Sequence, residues 1–206
     1  MTKTSIIIFS LYIPFSHAET IIYQTHSIPT KYNLFSGNIP YIQGKDFDQV
    51  NQQIKQQLLA DEDTPINFSS EKIYQNQNYL SIHTHLEIEG GRSYYREKYF
   101  VVDLKTKKLS TLKQILKKYQ LSEKMITARI AEQIRPCIND LIIHKPELCE
   151  SIDMQYLFKY YAEDQNFIHL KNADSFYLKK NILGISFDAG AYSVAFEYNL
   201  KTGKIQ

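Results

Sequence analysis

The sequence predicts an α+β domain, a mainly antiparallel sheet with amphipathic helices packed on one face, and three observations lead there. Between Tyr79 and Leu104 two segments alternate apolar and polar residues, the period of a half-buried strand, and meet at Gly90-Gly91. Two other stretches, around 46–60 and 122–134, instead repeat their apolar residues every three or four positions, as a helix with one buried face does. Short strand-like runs separated by Asn and Gly fill the last forty or so residues, and no Gly-rich dinucleotide or phosphate loop marks a doubly wound fold.

Residues 1–18 read as a secretory signal peptide: Lys3, the apolar run Ile6 to Phe15, then Ser16-His17-Ala18 with small residues where a signal peptidase cuts. The run is short for a membrane span and is interrupted by Pro14, so the expectation is a mature chain starting at Glu19, periplasmic or secreted, with no membrane span after cleavage. Residues 19–206 are then a single domain of about 188 residues, long enough for a real core. Without Lys3 the chain carries 23 basic and 22 acidic residues, which gives no electrostatic reason to expect nucleic acid as a partner. Tyrosine is abundant at 16 and tryptophan absent, a bias that suits strands with one wetted face.

Ile21 to His26 predicts a short strand. Ser27 to Gly44, with Pro29, Gly37, Pro40 and Gly44, predicts an irregular stretch extended only at Ile39 to Ile42. Asp46 stands as an N-cap for a helix to Ala60 that buries Phe47, Val50, Ile54 and Leu58. Asp61 to Pro65 is an acidic turn without the ligand spacing or glycine of an EF-hand loop. Ile66 to Tyr74, the turn Gln75 to Asn78 and the 79–104 hairpin complete a meander, with Leu80, Ile82, Leu86 and Ile88 facing the core and Tyr79, Ser81, His83, His85, Glu87 and Glu89 facing water. Gly90-Gly91 supplies positive φ for the turn. Lys105 to Lys108 is a turn, Ser110 caps a helix bearing Leu112, Ile115, Leu116 and Tyr119, and Ser122 caps a second bearing Ile126, Ile130 and Ile134 that Pro136 ends. A helix from Ser151 to Tyr161 follows, then strands at Phe167 to Leu170, Ser175 to Leu178, Ile182 to Phe187 and Tyr192 to Leu200, with a closing turn at Lys201 to Lys204.

Cys137 and Cys149, an even pair in an exported chain, are expected to form a disulfide; a loop of that size is stabilised by about 3 kcal/mol in the chain-entropy view. The gap is too long for a Cys-x-x-Cys motif, and only His144 lies between them, so a metal pair or a reactive thiol has less to recommend it. His83 and His85 point to one side of a strand, a spacing that holds zinc or copper when a third ligand arrives from a neighbouring strand, with Glu87 continuing the row. A solvated polar strand face accounts for the same residues, and no metal or other cofactor is expected. No convincing instance of a Gly-x-Ser-x-Gly elbow, a Cys beside a conspicuous histidine or a Ser-x-x-Lys tetrad stands out, which points away from nucleophilic catalysis and toward a non-enzyme. Candidate contact residues are Arg92, Tyr94, Tyr95 and Arg96 at the hairpin turn and Tyr156, Tyr160 and Tyr161 near the second cysteine, because Tyr and Arg dominate binding hot spots.

Ile39 to Leu59, Glu89-Gly90-Gly91 leading into Tyr99 to Leu109 and Leu112, and Phe176-Tyr177-Leu178 before Ile182 to Phe187 together resemble an extracytoplasmic domain family of unknown general function. It is found in the lysozyme-binding anti-sigma factor RsiV and the peptidoglycan deacetylase PdaC. The chain departs from the family pattern where Arg92 and Ser93 replace the usual alanine and histidine after the glycine pair, and where Asp188 to Ser193 replaces a Pro-Tyr-rich segment. No deacetylase motif is present, so that activity is not implied. The resemblance implies a non-catalytic periplasmic protein that binds a lysozyme-like hydrolase or peptidoglycan. An immunity protein against a periplasmic toxin and a metal-dependent cell-wall enzyme using His83 and His85 are the alternatives.

Overall fold

The computed structural model describes residues 21–28, 34–60, 64–91, 93–143, 161, 164–190 and 192–205, with side chains described to residue 135 in the long helix. Two sheets organise it. The larger has six strands in chain order: β1 (Tyr23–Ser27), β2 (Phe35–Ile42), β3 (Ile66–Gln75), β4 (Tyr79–Ile88), β5 (Tyr94–Asp103) and β6 (Lys108–Leu109). All its pairings are antiparallel except β2 with β3. The smaller is an antiparallel meander of β7 (Ser175–Lys179), β8 (Ile182–Asp188) and β9 (Ser193–Asn199).

Strand β2 runs through the stretch expected to be mostly irregular. Gly37 makes this possible: its φ is +84°, and a Cβ there would meet the Phe68 carbonyl oxygen at 2.1 Å, so the strand approaches β3 closely only because glycine has no side chain. Helix α1 (Asp48–Leu58) follows a single 3₁₀ turn, Lys45–Phe47, and buries Val50, Ile54 and Leu58 as its spacing requires. Asp46 does not cap it; its carboxylate pairs with Lys107 across the fold. Asn51 instead ties the helix to the end of β2, its side chain accepting from the Ile42 amide at 2.9 Å and donating to the Ile42 carbonyl at 2.8 Å.

After the hairpin, Asp103 Oδ1 accepts from the Lys105 and Thr106 amides, which makes the turn expected there, and the chain then adds the two-residue β6. Helix α2 (Leu112–Lys118) is capped by Thr111 rather than Ser110, through a reciprocal capping box with Gln114. Ser122 does cap α3 (Glu123–Ile143). Pro136 does not end that helix: Ile126, Ile130 and Ile134 are fully buried, and this packing outweighs an interior-proline cost of about 3 kcal/mol. The expected strand at Phe167 to Leu170 is instead two 3₁₀ turns, Gln165–Ile168 and Leu170–Asn172. Asp164 caps the first, and Asn172 Nδ2 donates back to the Asn166 carbonyl, so local side-chain bonds to backbone win over β propensity.

The core lies on both sides of the large sheet. Leu80, Ile82, Phe100 and Val102 pack with α1 and β2 on one side. Tyr79 and Val101 pack on the other with Ile115, Leu116, the Ile126–Ile130–Ile134 stripe and the apolar face of the small sheet. This second side is the one the alternation assigned to water. Tyr79 and Ser81 are buried on it because β7 crosses β4 and β5, and the Leu178 amide donates to Ser81 Oγ at 3.1 Å. Among the described residues no helix is long and apolar enough to cross a membrane.

Candidate functional site

Beyond the line where β7 crosses, the same face of the large sheet stays half open. Register places its side chains in three rows across β3, β4 and β5: Asn67–Glu87–Tyr95, Ser69–His85–Glu97 and Glu71–His83–Tyr99. Residues directly opposite on antiparallel strands share a face and touch, so the rows are contact rows as well as register rows.

Glu97 is the hub. One carboxylate oxygen lies 2.5 Å from His83 Nε2 and the other 2.8 Å from His85 Nδ1. The second ring nitrogen of His83 lies 3.2 Å from Glu71 Oε1, so that imidazole is held between two carboxylates on either side of its strand. Burial alone lowers the His83 pKa, but the hydrogen bonds to Glu97 and Glu71 outweigh it and leave the imidazole above its ordinary value. Glu97 mirrors this: burial raises its pKa, but the bonds to His83 and His85 outweigh that and leave the carboxylate below its ordinary range.

Stacking fixes the rings. His83 lies parallel to Tyr99 at 4.9 Å and His85 to Tyr95 at 5.2 Å. Tyr99 in turn meets Tyr177 of β7 at 4.6 Å. Tyr177 lies flat over Gly184, whose Cβ, if it had one, would sit 2.1 Å from the ring, and its hydroxyl donates to Glu197 at 2.6 Å. Lys179 reaches the same carboxylate oxygen at 2.8 Å. Burial first, then the nearby Glu97, pushes the Tyr99 hydroxyl up to about 12. Ser193 at the start of β9 accepts from the Glu97 amide at 3.0 Å, tying the hub's backbone to the small sheet.

The surface that results is a flat, half-exposed lattice of carboxylates, imidazoles and tyrosines with few free torsions. Four carboxylates, Glu71, Glu87, Glu97 and Glu197, face one lysine, Lys179, and the doubly bonded His83. Among the described residues no three His, Cys, Asp or Glu side chains are grouped so as to hold a metal ion. Both ring nitrogens of His83, and Nδ1 of His85, engage carboxylates.

The candidates at the hairpin turn divide between two faces. Tyr95 is on the lattice and 41% exposed. Tyr94 packs on the opposite core with Arg96 over its ring at 5.6 Å, and Arg96 reaches Asp188 of β8 at 3.4 Å. Tyr161 is half-buried against the core. Arg92, Tyr156, Tyr160, Cys149 and the Cys137 side chain lie outside the described residues, and so does the expected disulfide. Gly91 does not use positive φ at the turn.

Sequence reasoning missed Glu97, Glu71, Tyr99, Tyr177 and Glu197. Glu97 and Tyr99 were within reach: pairing Ile88 with Tyr94 across the turn puts Glu97 opposite His85 and Tyr99 opposite His83. No local signal could bring Tyr177 or Glu197 to the site.

No protein-family model matches the chain, and no curated protein matches it. Among solved structures it is similar to the crystal structure of a DUF3298 family protein from Pseudomonas aeruginosa, at 11% identity and a TM-score of 0.43, over 91% of this chain and 93% of that one. DUF3298 is the domain type of RsiV and PdaC.

Proposed function

We propose that this protein is an exported, non-catalytic binding protein that recognises a cationic, lysozyme-like wall hydrolase through the lattice on β3, β4 and β5. The observation that carries the reading is the charge and rigidity of that face: four carboxylates beside stacked tyrosines, held by cross-strand bonds before any partner arrives. A negative, pre-ordered patch steers a positive partner and loses little side-chain entropy on contact. Tyr95, exposed and stacked on His85, gives the patch an aromatic anchor. The signal-peptide pattern of the sequence at 1–18 supports export, and the sequence resemblance supports the class of partner.

Pull-downs on immobilised lysozyme and on purified sacculi test this. Retention on lysozyme should fall with rising salt and should drop about tenfold or more in the double variant Glu71→Gln/Glu87→Gln, the loss of two screened charge contacts. Retention on neither bait, or lysozyme retention indifferent to both salt and the variant, would sink the proposal. Sacculus retention alone would favour peptidoglycan as the partner.

A further inference from the structure

A second feature lies at the end of the large sheet away from the hairpin turn, where β5 finishes at Asp103. From Leu104 to Ser122 the chain holds no acidic residue and six lysines, Lys105, Lys107, Lys108, Lys113, Lys117 and Lys118. The fold gathers them at that end. The first three lie on the turn and on β6, which pairs back onto Asp103. Lys118, at the close of α2, sits over the Tyr79 ring at 4.3 Å, and Tyr79 is the residue opposite Asp103. Lys107 lies over Phe47 at 5.7 Å, on the side of the other core. The lysines therefore ring the sheet end from one face to the other.

The protein itself leaves most of this charge uncompensated. Lys107 pairs with Asp46, and Asp103 Oδ1 is taken by the turn amides. Lys105, Lys108, Lys113 and Lys117 are exposed and pair with no acid among the described residues. Lys113 and Lys117, four apart on α2, are neighbours on its surface, and like charges so placed work against a helix. The helix C-terminus favours a cation at Lys117 and Lys118 but accounts for none of the other four. An anionic partner accounts for all six. No arginine stands between 97 and 128, and hydrated ammonium groups suit a diffuse negative surface, whereas a site for one phosphate is better made of guanidinium forks. Charge spread around a whole sheet end also matches a flat partner rather than a small ion. Tyr119, directly after Lys118 and 38% exposed, is of the residue type that settles at the headgroup level of a bilayer.

We propose that this end of the sheet docks on the surface of an anionic phospholipid bilayer, with the strands standing up from it. Glu97 lies six residues before Asp103 on β5, about 20 Å along the strand at about 3.3 Å per residue. That exceeds the Debye length of about 8 Å, so the lattice stays open to its own partner. The near-neutral total charge of the chain hides this division, because the carboxylates of the lattice and the lysines of the sheet end stand in separate places.

Co-sedimentation with vesicles tests it, using the chain from Glu19, which contains every described element. One set of vesicles is phosphatidylcholine alone; the other carries about one-third phosphatidylglycerol, enough for a negative surface potential. Binding should require phosphatidylglycerol and weaken as salt rises. Lys113→Gln/Lys117→Gln and Lys105→Gln/Lys108→Gln should each weaken it about tenfold or more, at about fivefold per lysine. All four positions are exposed, so both variants should keep the urea midpoint of the unchanged protein. Glu71→Gln/Glu87→Gln should bind the vesicles as the unchanged protein does, which separates this end from the lattice whatever happens with lysozyme. Sedimentation with neither vesicle, equal sedimentation with both, or binding untouched by both lysine pairs would each overturn the proposal. Self-association abolished by the lysine variants, in place of vesicle binding, would make a second copy the partner and overturn it as well.

Discussion

Ser81→Ala is the sharpest probe of how the two sheets meet. Ser81 is fully buried on β4, and its hydroxyl accepts from the Leu178 amide of β7 at 3.1 Å. Alanine keeps the strand and nearly the volume but leaves that amide buried beside a methyl group. The cost of orphaning it is about 1–3 kcal/mol, and each kcal/mol corresponds to roughly 2–4 °C of melting temperature in a chain of this size. Urea unfolding followed by tyrosine fluorescence and far-ultraviolet circular dichroism gives the stability change. Hydrogen exchange at Leu178 gives its location, because the amide should exchange faster in the variant while amides in the middle of β8 change only with global stability. A loss below about 0.5 kcal/mol with unchanged Leu178 exchange would refute the claim that this bond clamps β7 to β4.

Two further outcomes follow from the lattice. Gly184→Ala drives a methyl group into the Tyr177 ring and should cost about 1–3 kcal/mol by overpacking. It should also free the Tyr177 hydroxyl from Glu197, so that ultraviolet titration shows a tyrosine ionising at lower pH than any does at that site in the unchanged protein; Tyr177 is held above the ordinary range by burial and then by Glu197. The His83–Glu97 pair makes stability depend on pH in both directions. Because the folded His83 pKa is raised, its contribution is complete below the unfolded value of about 6.5 and is lost as pH rises through the folded one. Because the folded Glu97 pKa is lowered, its contribution is complete above about 4.3 and is lost as pH falls through the folded value. Urea unfolding between pH 5 and 9 should therefore show a decline on the alkaline side that His83→Gln removes; equal slopes in the two proteins would count against the clamp.

Every element whose burial pattern is local was legible in the amino-acid order. Helix α1, the β3–β4–β5 meander and the last three strands follow from apolar spacing; Asn181 and Gly190 take positive φ at the turns of the small sheet, and Asn76 turns the chain by accepting from the Asn78 and Tyr79 amides. The same order also placed His83 and His85 on one face. Local rules failed where tertiary packing or a particular side-chain bond outweighed propensity: at β2, where Gly37 admits a close strand; at Pro136, carried along by a buried isoleucine stripe; and at 165–172, where Asp164 and Asn172 hold turns. Long-range packing settled the fate of the polar face of β4. Alternation tells which residues share a side of a strand but not what covers that side, since hydroxyls, imidazoles and tyrosines are at home in water and in a hydrogen-bonded interior alike. The small sheet arrives from about a hundred residues away, buries Tyr79 and Ser81, and stops short of His83, His85 and Glu97. The lattice is the part of that face left open.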